Sequence, residues 1–93
     1  MQTMPRPKKP IEIYVIYGCP YCKAAVRILR HMRVPFQAIN LGDKAKLAHE
    51  LAAATGSSSV PKVFVHGNFI GGYTELAQMA SSGQLESMLN AYR

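Results

Sequence analysis

A chain of 93 residues with 48% hydrophobic content has room for one small domain, close to the lower size at which a single core suffices without disulfide or metal staples. No window approaches the roughly 18 consecutive apolar residues of a membrane span, and the amino end lacks the apolar stretch of a secretory signal, so no membrane association is expected. Eleven Lys and Arg against five Asp and Glu give a net charge of +6, but seven of these cations lie in a proline-punctuated tail (Arg6, Lys8, Lys9) and along one helix (Lys23, Arg27, Arg30, Arg33), with no aromatic residues interleaved for base stacking; a solvated helix face accounts for them better than nucleic acid does.

Residues 1–10 place Arg6, Lys8 and Lys9 among Pro5, Pro7 and Pro10 without periodicity and read as a flexible basic tail; residues 11–93 are the expected domain. Ile11, Ile13, Tyr14, Val15, Ile16 and Tyr17 form an almost unbroken apolar run, the pattern of a strand covered on both faces. Gly18 breaks it. Pro20 suits the first position of a helix because its missing N–H would have had no partner there, which makes Cys19 the N-cap and Cys22 the third helical residue. A sulfur at that cap faces the unpaired amides of Tyr21 and Cys22 and the positive end of the helix dipole, so its thiolate is favoured over its thiol. A free thiol with a pKa of ~8.5 is only a few per cent ionised at neutral pH. Cys19 is therefore the expected nucleophile, and Cys22, a turn along and deeper, the thiol that attacks a mixed disulfide on Cys19 and releases the partner.

A zinc half-site is the bland reading of the same two cysteines. It would need further ligands, and there is no second Cys pair, while His31, His49 and His66 lack the spacing that completes such a site; no metal is expected. With no export signal, the cysteines point to a reducing, cytoplasmic compartment, where Cys-x-x-Cys is more often catalytic than structural.

Ala25, Ile28, Leu29 and Met32 recur at helical spacing with the basic residues opposite, which predicts a helix from about Pro20 to Arg33, stopped by Val34-Pro35. Phe36 to Leu41 reads as an edge strand parallel to the first, with the helix as crossover. Asp43 is the expected N-cap of a second helix with Leu47, Ala48, Leu51 and Ala52 inward, Lys46, His49 and Glu50 outward, and Gly56 closing it. The Ser57-Ser58-Ser59 loop follows. Val60-Pro61 before Lys62-Val63-Phe64-Val65 sets a proline at the mouth of an apolar strand. His66-Gly67-Asn68 turns the chain into a short strand at Phe69-Ile70. Gly71-Gly72 permit positive φ or a close backbone approach, and Thr74 is the expected N-cap of a third helix with Glu75 in its first turn. Leu76, Met79 and Ala80 point inward, Ser81-Ser82-Gly83 breaks the helix, and Leu85, Met88, Leu89 and Tyr92 make a last amphipathic stretch.

Cys19-Pro20-Tyr21-Cys22, Ser59-Val60-Pro61 and Gly71-Gly72, in that order, resemble the dithiol branch of the glutaredoxin family from about Ile11 onward. The resemblance implies an α/β, thioredoxin-like fold with a small mixed four-stranded sheet in the order β-α-β-α-β-β-α. It also implies glutathione as co-substrate, with no bound cofactor, and disulfide-bonded or glutathionylated proteins as partners of an expected monomer. It carries the glutathione-binding positions onto Tyr21, Ser59, Val60, Pro61, Gly72, Tyr73 and Thr74, with Pro61 cis and facing the cysteines.

The chain departs from that pattern in three places. Relatives carry a lysine three residues before the first cysteine, where this chain has Ile16; a basic or amide residue before the Thr-Val-Pro motif, where it has Ser57 and Ser58; and an acidic residue after the glycine pair, where it has Thr74. Each charge-assisted hydrogen bond contributes roughly 1.5–3 kcal/mol, so glutathione would be held about tenfold more weakly at its glycyl end unless Lys23 or Lys62 compensates. The leading expectation is glutathione-dependent reduction of protein disulfides and glutathione mixed disulfides through Cys19 and Cys22. Its rivals are a redoxin reduced by a flavoprotein reductase, suggested by Ile16 and the serine loop, and a module in which two subunits hold an iron–sulfur cluster through Cys19 and glutathione, against which Pro20 and Cys22 weigh.

Overall fold

The computed structural model describes residues 9–90. A central strand β1 (Ile11–Val15) is joined by helix α1 (Pro20–Met32) to β2 (Phe36–Asn40); α2 (Ala45–Thr55) leads to the hairpin of β3 (Lys62–Val65) and β4 (Asn68–Gly71), and α3 (Tyr73–Ser82) and α4 (Gln84–Asn90) complete the chain. The sheet runs β2-β1-β3-β4, with β1 parallel to β2 and antiparallel to β3, and β4 antiparallel to β3. This is the expected mixed four-stranded sheet, with a parallel pair made through a helical crossover.

Alternation along β1 divides the sheet into unlike faces. Ile11, Ile13 and Val15 are buried and meet Ala25 and Leu29 of α1, Val63 and Val65 of β3, Leu76 of α3 and Leu85 of α4. Tyr14 turns the other way and stacks edge-on against Phe64, which in turn contacts Phe69. This second face is only half covered. The strand was expected to be enclosed on both sides and to reach Tyr17; it ends at Val15, and Ile16 and Tyr17 are exposed.

Helix α1 ends at Met32 with Arg33 in the left-handed region, φ 59°, and the amides of Arg33 and Val34 return to the carbonyls of Arg30 and Leu29. The expected inner face of α2 is its less exposed one, yet no residue of this helix is buried. Asp43 is not its N-cap: that position falls to Lys44, without a side-chain cap bond, and Asp43 pairs instead with the Lys44 ammonium at 3.5 Å. The β3–β4 turn is His66-Gly67, both with positive φ (51° and 84°), the conformation whose twist suits a two-residue hairpin. Pro10 accepts the His66 amide at 2.7 Å and so runs beside the sheet; residues 1–8 of the expected tail and Tyr92 of the last amphipathic stretch lie outside the described residues. No helix among the described residues is long and apolar enough to cross a membrane.

Candidate active site

Past β1 the chain needs a sharp turn to bring α1 back over the sheet. Gly18, φ 91°, makes it, and the Cys19 amide closes it on the Ile16 carbonyl at 3.2 Å. Pro20 begins the helix and Cys19 is its N-cap, with the Cys22 amide donating to the Cys19 sulfur at 3.4 Å. The Cys22 thiol and the Cys22 and Tyr21 amides, in that order of influence by side chain and backbone, hold the Cys19 pKa below the usual thiol range. Cys22 is 3% exposed. Burial pushes its pKa up to about 11, and the Cys19 sulfur beside it adds to the rise. One cap thus carries a half-buried sulfur whose ionisation is favoured and a buried one held protonated beside it.

All seven positions expected to face glutathione line one cleft of about 480 Å³: Tyr21, Ser59, Val60, Pro61, Gly72, Tyr73 and Thr74. The Val60–Pro61 peptide is cis. The rings of Tyr21 and Tyr73 stand 5.7 Å apart, joining the cysteine helix to α3 across the cleft. The two glycines differ in what a side chain would meet. Gly71 has φ 125°, and a Cβ there would lie 2.6 Å from Cγ of Glu75; a Cβ on Gly72 would come within 3.2 Å of the Pro61 carbonyl.

Thr74 is not the N-cap of α3. Gly72 is, and Thr74 is the exposed second residue of the helix. Glu75, at the third position, reaches back to accept the Gly72 amide at 2.8 Å, a bond that holds its carboxyl below the usual range. Glu75 and Phe69 also line the cleft and were missed from the sequence; a glutamate three residues after a glycine cap was the available signal for the first.

Neither lysine suggested as a substitute for the missing charges lines this cleft. Lys62 is buried, its Nζ on the Ser59 carbonyl at 2.6 Å. Lys23 borders a separate cleft with Ile16, Tyr17, Arg27 and Arg30, on which Cys22 also opens. Ser57 is occupied within its own loop, where its hydroxyl lies 2.9 Å from that of Ser59. Among the described residues no three His, Cys, Asp or Glu side chains converge in a way that would hold a metal ion.

The glutaredoxin family model matches residues 11–70. A glutaredoxin of Pseudomonas aeruginosa is 35% identical over 82 residues, spanning 88% of this chain and 98% of the relative. The structure of oxidized glutaredoxin 2 from Chlamydomonas reinhardtii superposes with a TM-score of 0.80 at 32% identity, covering 89% of this chain and 81% of that one. A buckwheat glutaredoxin solved as a glutathione complex gives 0.83 at 26% identity, covering 89% and 78%. With a Cys-x-x-Cys at the head of α1 and these likenesses running through sheet and helices alike, the chain belongs to the glutaredoxin family and is a thiol–disulfide oxidoreductase.

Proposed function

We propose that the chain reduces protein disulfides and glutathione mixed disulfides with glutathione as reductant. The observation that carries this is a sulfur at a helix N-cap, with its pKa lowered, two residues before Tyr21, which lines a cleft walled by Ser59-Val60-Pro61 and Gly72-Tyr73. The complex of the buckwheat relative with glutathione supports the choice of tripeptide.

In the first step the Cys19 thiolate attacks the glutathione sulfur of a mixed disulfide; a Cys19–glutathione disulfide forms and the protein leaves as its thiolate, which takes up a proton from water. A second glutathione thiolate then attacks that sulfur, giving glutathione disulfide and restoring Cys19. For a protein disulfide, the Cys19 thiolate attacks one sulfur and frees the other as a thiolate, which takes up a proton. Cys22 then loses its proton and attacks Cys19 Sγ of the mixed disulfide, and the second substrate sulfur leaves and is protonated. The resulting Cys19–Cys22 disulfide is reduced by two glutathiones, which leave as glutathione disulfide. Val60 offers its backbone to the cysteinyl part of the tripeptide, and the free amides at the start of α3 meet the γ-glutamyl carboxylate. We assign this work to the cytoplasm.

Cys19→Ser should abolish turnover on every substrate, whereas Cys22→Ser should keep reduction of a glutathionylated peptide and lose reduction of protein disulfides. Retained rate in the Cys19 variant would overturn the assignment. One observation favours a second reductant: Ile16 stands where a lysine would contact glutathione, and neither Lys23 nor Lys62 lines the cleft. Coupled assays with glutathione and with a flavoprotein reductase, run side by side, decide between them.

A further inference from the structure

Lys62 opens β3 directly after Pro61 and, among the described residues, is the one buried charged side chain, 2% exposed. Its Nζ donates to the Ser59 carbonyl at 2.6 Å. Among the described residues the one ion pair is that of Lys44 with Asp43, so no carboxylate compensates the Lys62 ammonium, and burial pulls its pKa below the usual lysine range. Removing an ammonium from water without a counter-ion is costly, and an apolar side chain of similar length would fill the space at lower cost. Packing therefore does not account for a cation at this place.

What the ammonium holds is the first residue of the cleft wall. The Ser59 amide donates to the Ser57 hydroxyl at 3.3 Å, the Ser57 amide to the Thr55 hydroxyl at 3.2 Å, and that hydroxyl to the Leu51 carbonyl inside α2 at 2.7 Å. A run of hydrogen bonds ties the wall to α2 on one side. Lys62 ties it to β3 on the other. Ser59 and Val60 line the cleft, while Lys62 stands behind them.

We propose that Lys62 is a positioning residue for glutathione: by holding the Ser59 carbonyl toward β3 it fixes the Val60 backbone in the orientation with which the tripeptide pairs. The wall is then formed before the ligand arrives, and its ordering is not subtracted from affinity. The inference rests on the glutathione-dependent reading given above.

Lys62→Met keeps an apolar stem of similar length and removes the donor, Lys62→Gln removes the charge, and Lys62→Arg retains it. With the full chain reducing a glutathionylated peptide, the Met and Gln variants should show a KM roughly three- to tenfold higher, corresponding to the loss of one immobilised contact. Their kcat at saturation should stay within about twofold of the parent, the Arg variant should recover most of the KM, and the pH dependence of Cys19 alkylation should not move. A lysine with a merely structural role would lower the Tm and leave KM unchanged in whichever variant folds, and that result overturns the proposal. A parent chain inactive with glutathione but active with another reductant overturns the glutathione reading as well; an active parent with unchanged variants overturns this inference alone.

Discussion

Tyr21 of the cysteine helix and the Ser59–Pro61 wall line the same cleft, but the catalytic turn and the wall are held by different means. Around Cys19 the hydrogen bonds are local: Gly18 turns the chain, Pro20 starts the helix, and the amide of a residue three positions on meets the sulfur. The Ser57–Pro61 segment has no helix or strand to belong to, and it is fixed from both ends by side chains of Thr55 and Lys62. A site can thus pair a reactive atom set by backbone geometry with a binding surface set by tertiary contacts, and the two should respond differently to substitution.

The largest expected contrast lies within the turn itself. A thiol with a pKa of about 11 is ionised to roughly one part in ten thousand at pH 7, so Cys22 should resist alkylation on burial and charge alike. Cys19, whose pKa is lowered, should react at neutral pH as a thiolate. Mass-spectrometric mapping after brief iodoacetamide treatment should find modification confined to Cys19, with a rate that rises with pH and levels off below the ordinary thiol range. Equal labelling of both cysteines would remove the physical basis of the mechanism.

A matched pair of glycine substitutions compares turn and wall directly. Gly18 and Gly71 both have positive φ, 91° and 125°, but a Cβ on Gly18 meets nothing within 4 Å, whereas on Gly71 it collides with the Glu75 side chain. Backbone strain alone costs about 1–3 kcal/mol at such positions. Gly71→Ala should therefore lower the Tm more than Gly18→Ala, and it should raise KM because the displaced Glu75 releases the Gly72 cap. Gly18→Ala should act mainly on Cys19 reactivity. Thermal melts and steady-state kinetics of the two variants check both halves.

What the sequence revealed follows the same division. Cys19 as N-cap, Pro20 as first helical residue and Cys22 as the buried partner were readable because each depends on residues within three positions. The parallel crossover was readable because helical spacing and Val34-Pro35 mark the limits of α1, whereas the mixed four-stranded sheet was implied by the family resemblance. Helix α2 went wrong at Asp43 because a capping residue is a propensity, and here the cap falls one residue later, at Lys44, without a side-chain bond. Thr74 went wrong because Gly72 already held the cap, with Glu75 reaching back to it. The buried end of Lys62 could not be read at all: a lysine opening a strand is ordinarily solvated, and only the fold brings its ammonium to the Ser59 carbonyl.

The smallest expected effect tests the cap that borders the wall. Glu75 accepts the Gly72 amide, and that bond lowers its pKa. A carboxylate with a folded-state pKa below its unfolded value stabilises the fold above the unfolded pKa, near 4.3, and the contribution is lost as pH falls through the depressed folded value. Glu75→Gln should therefore be slightly less stable than the parent at neutral pH and converge with it in acid, below the usual carboxylate range. Because the group is exposed, the difference should be small and should shrink with added salt. Urea melts from pH 7 down to the acid limb measure it. A gap between the two chains that persists unchanged into acid would mean that the carboxylate is not what holds Gly72 at the head of α3.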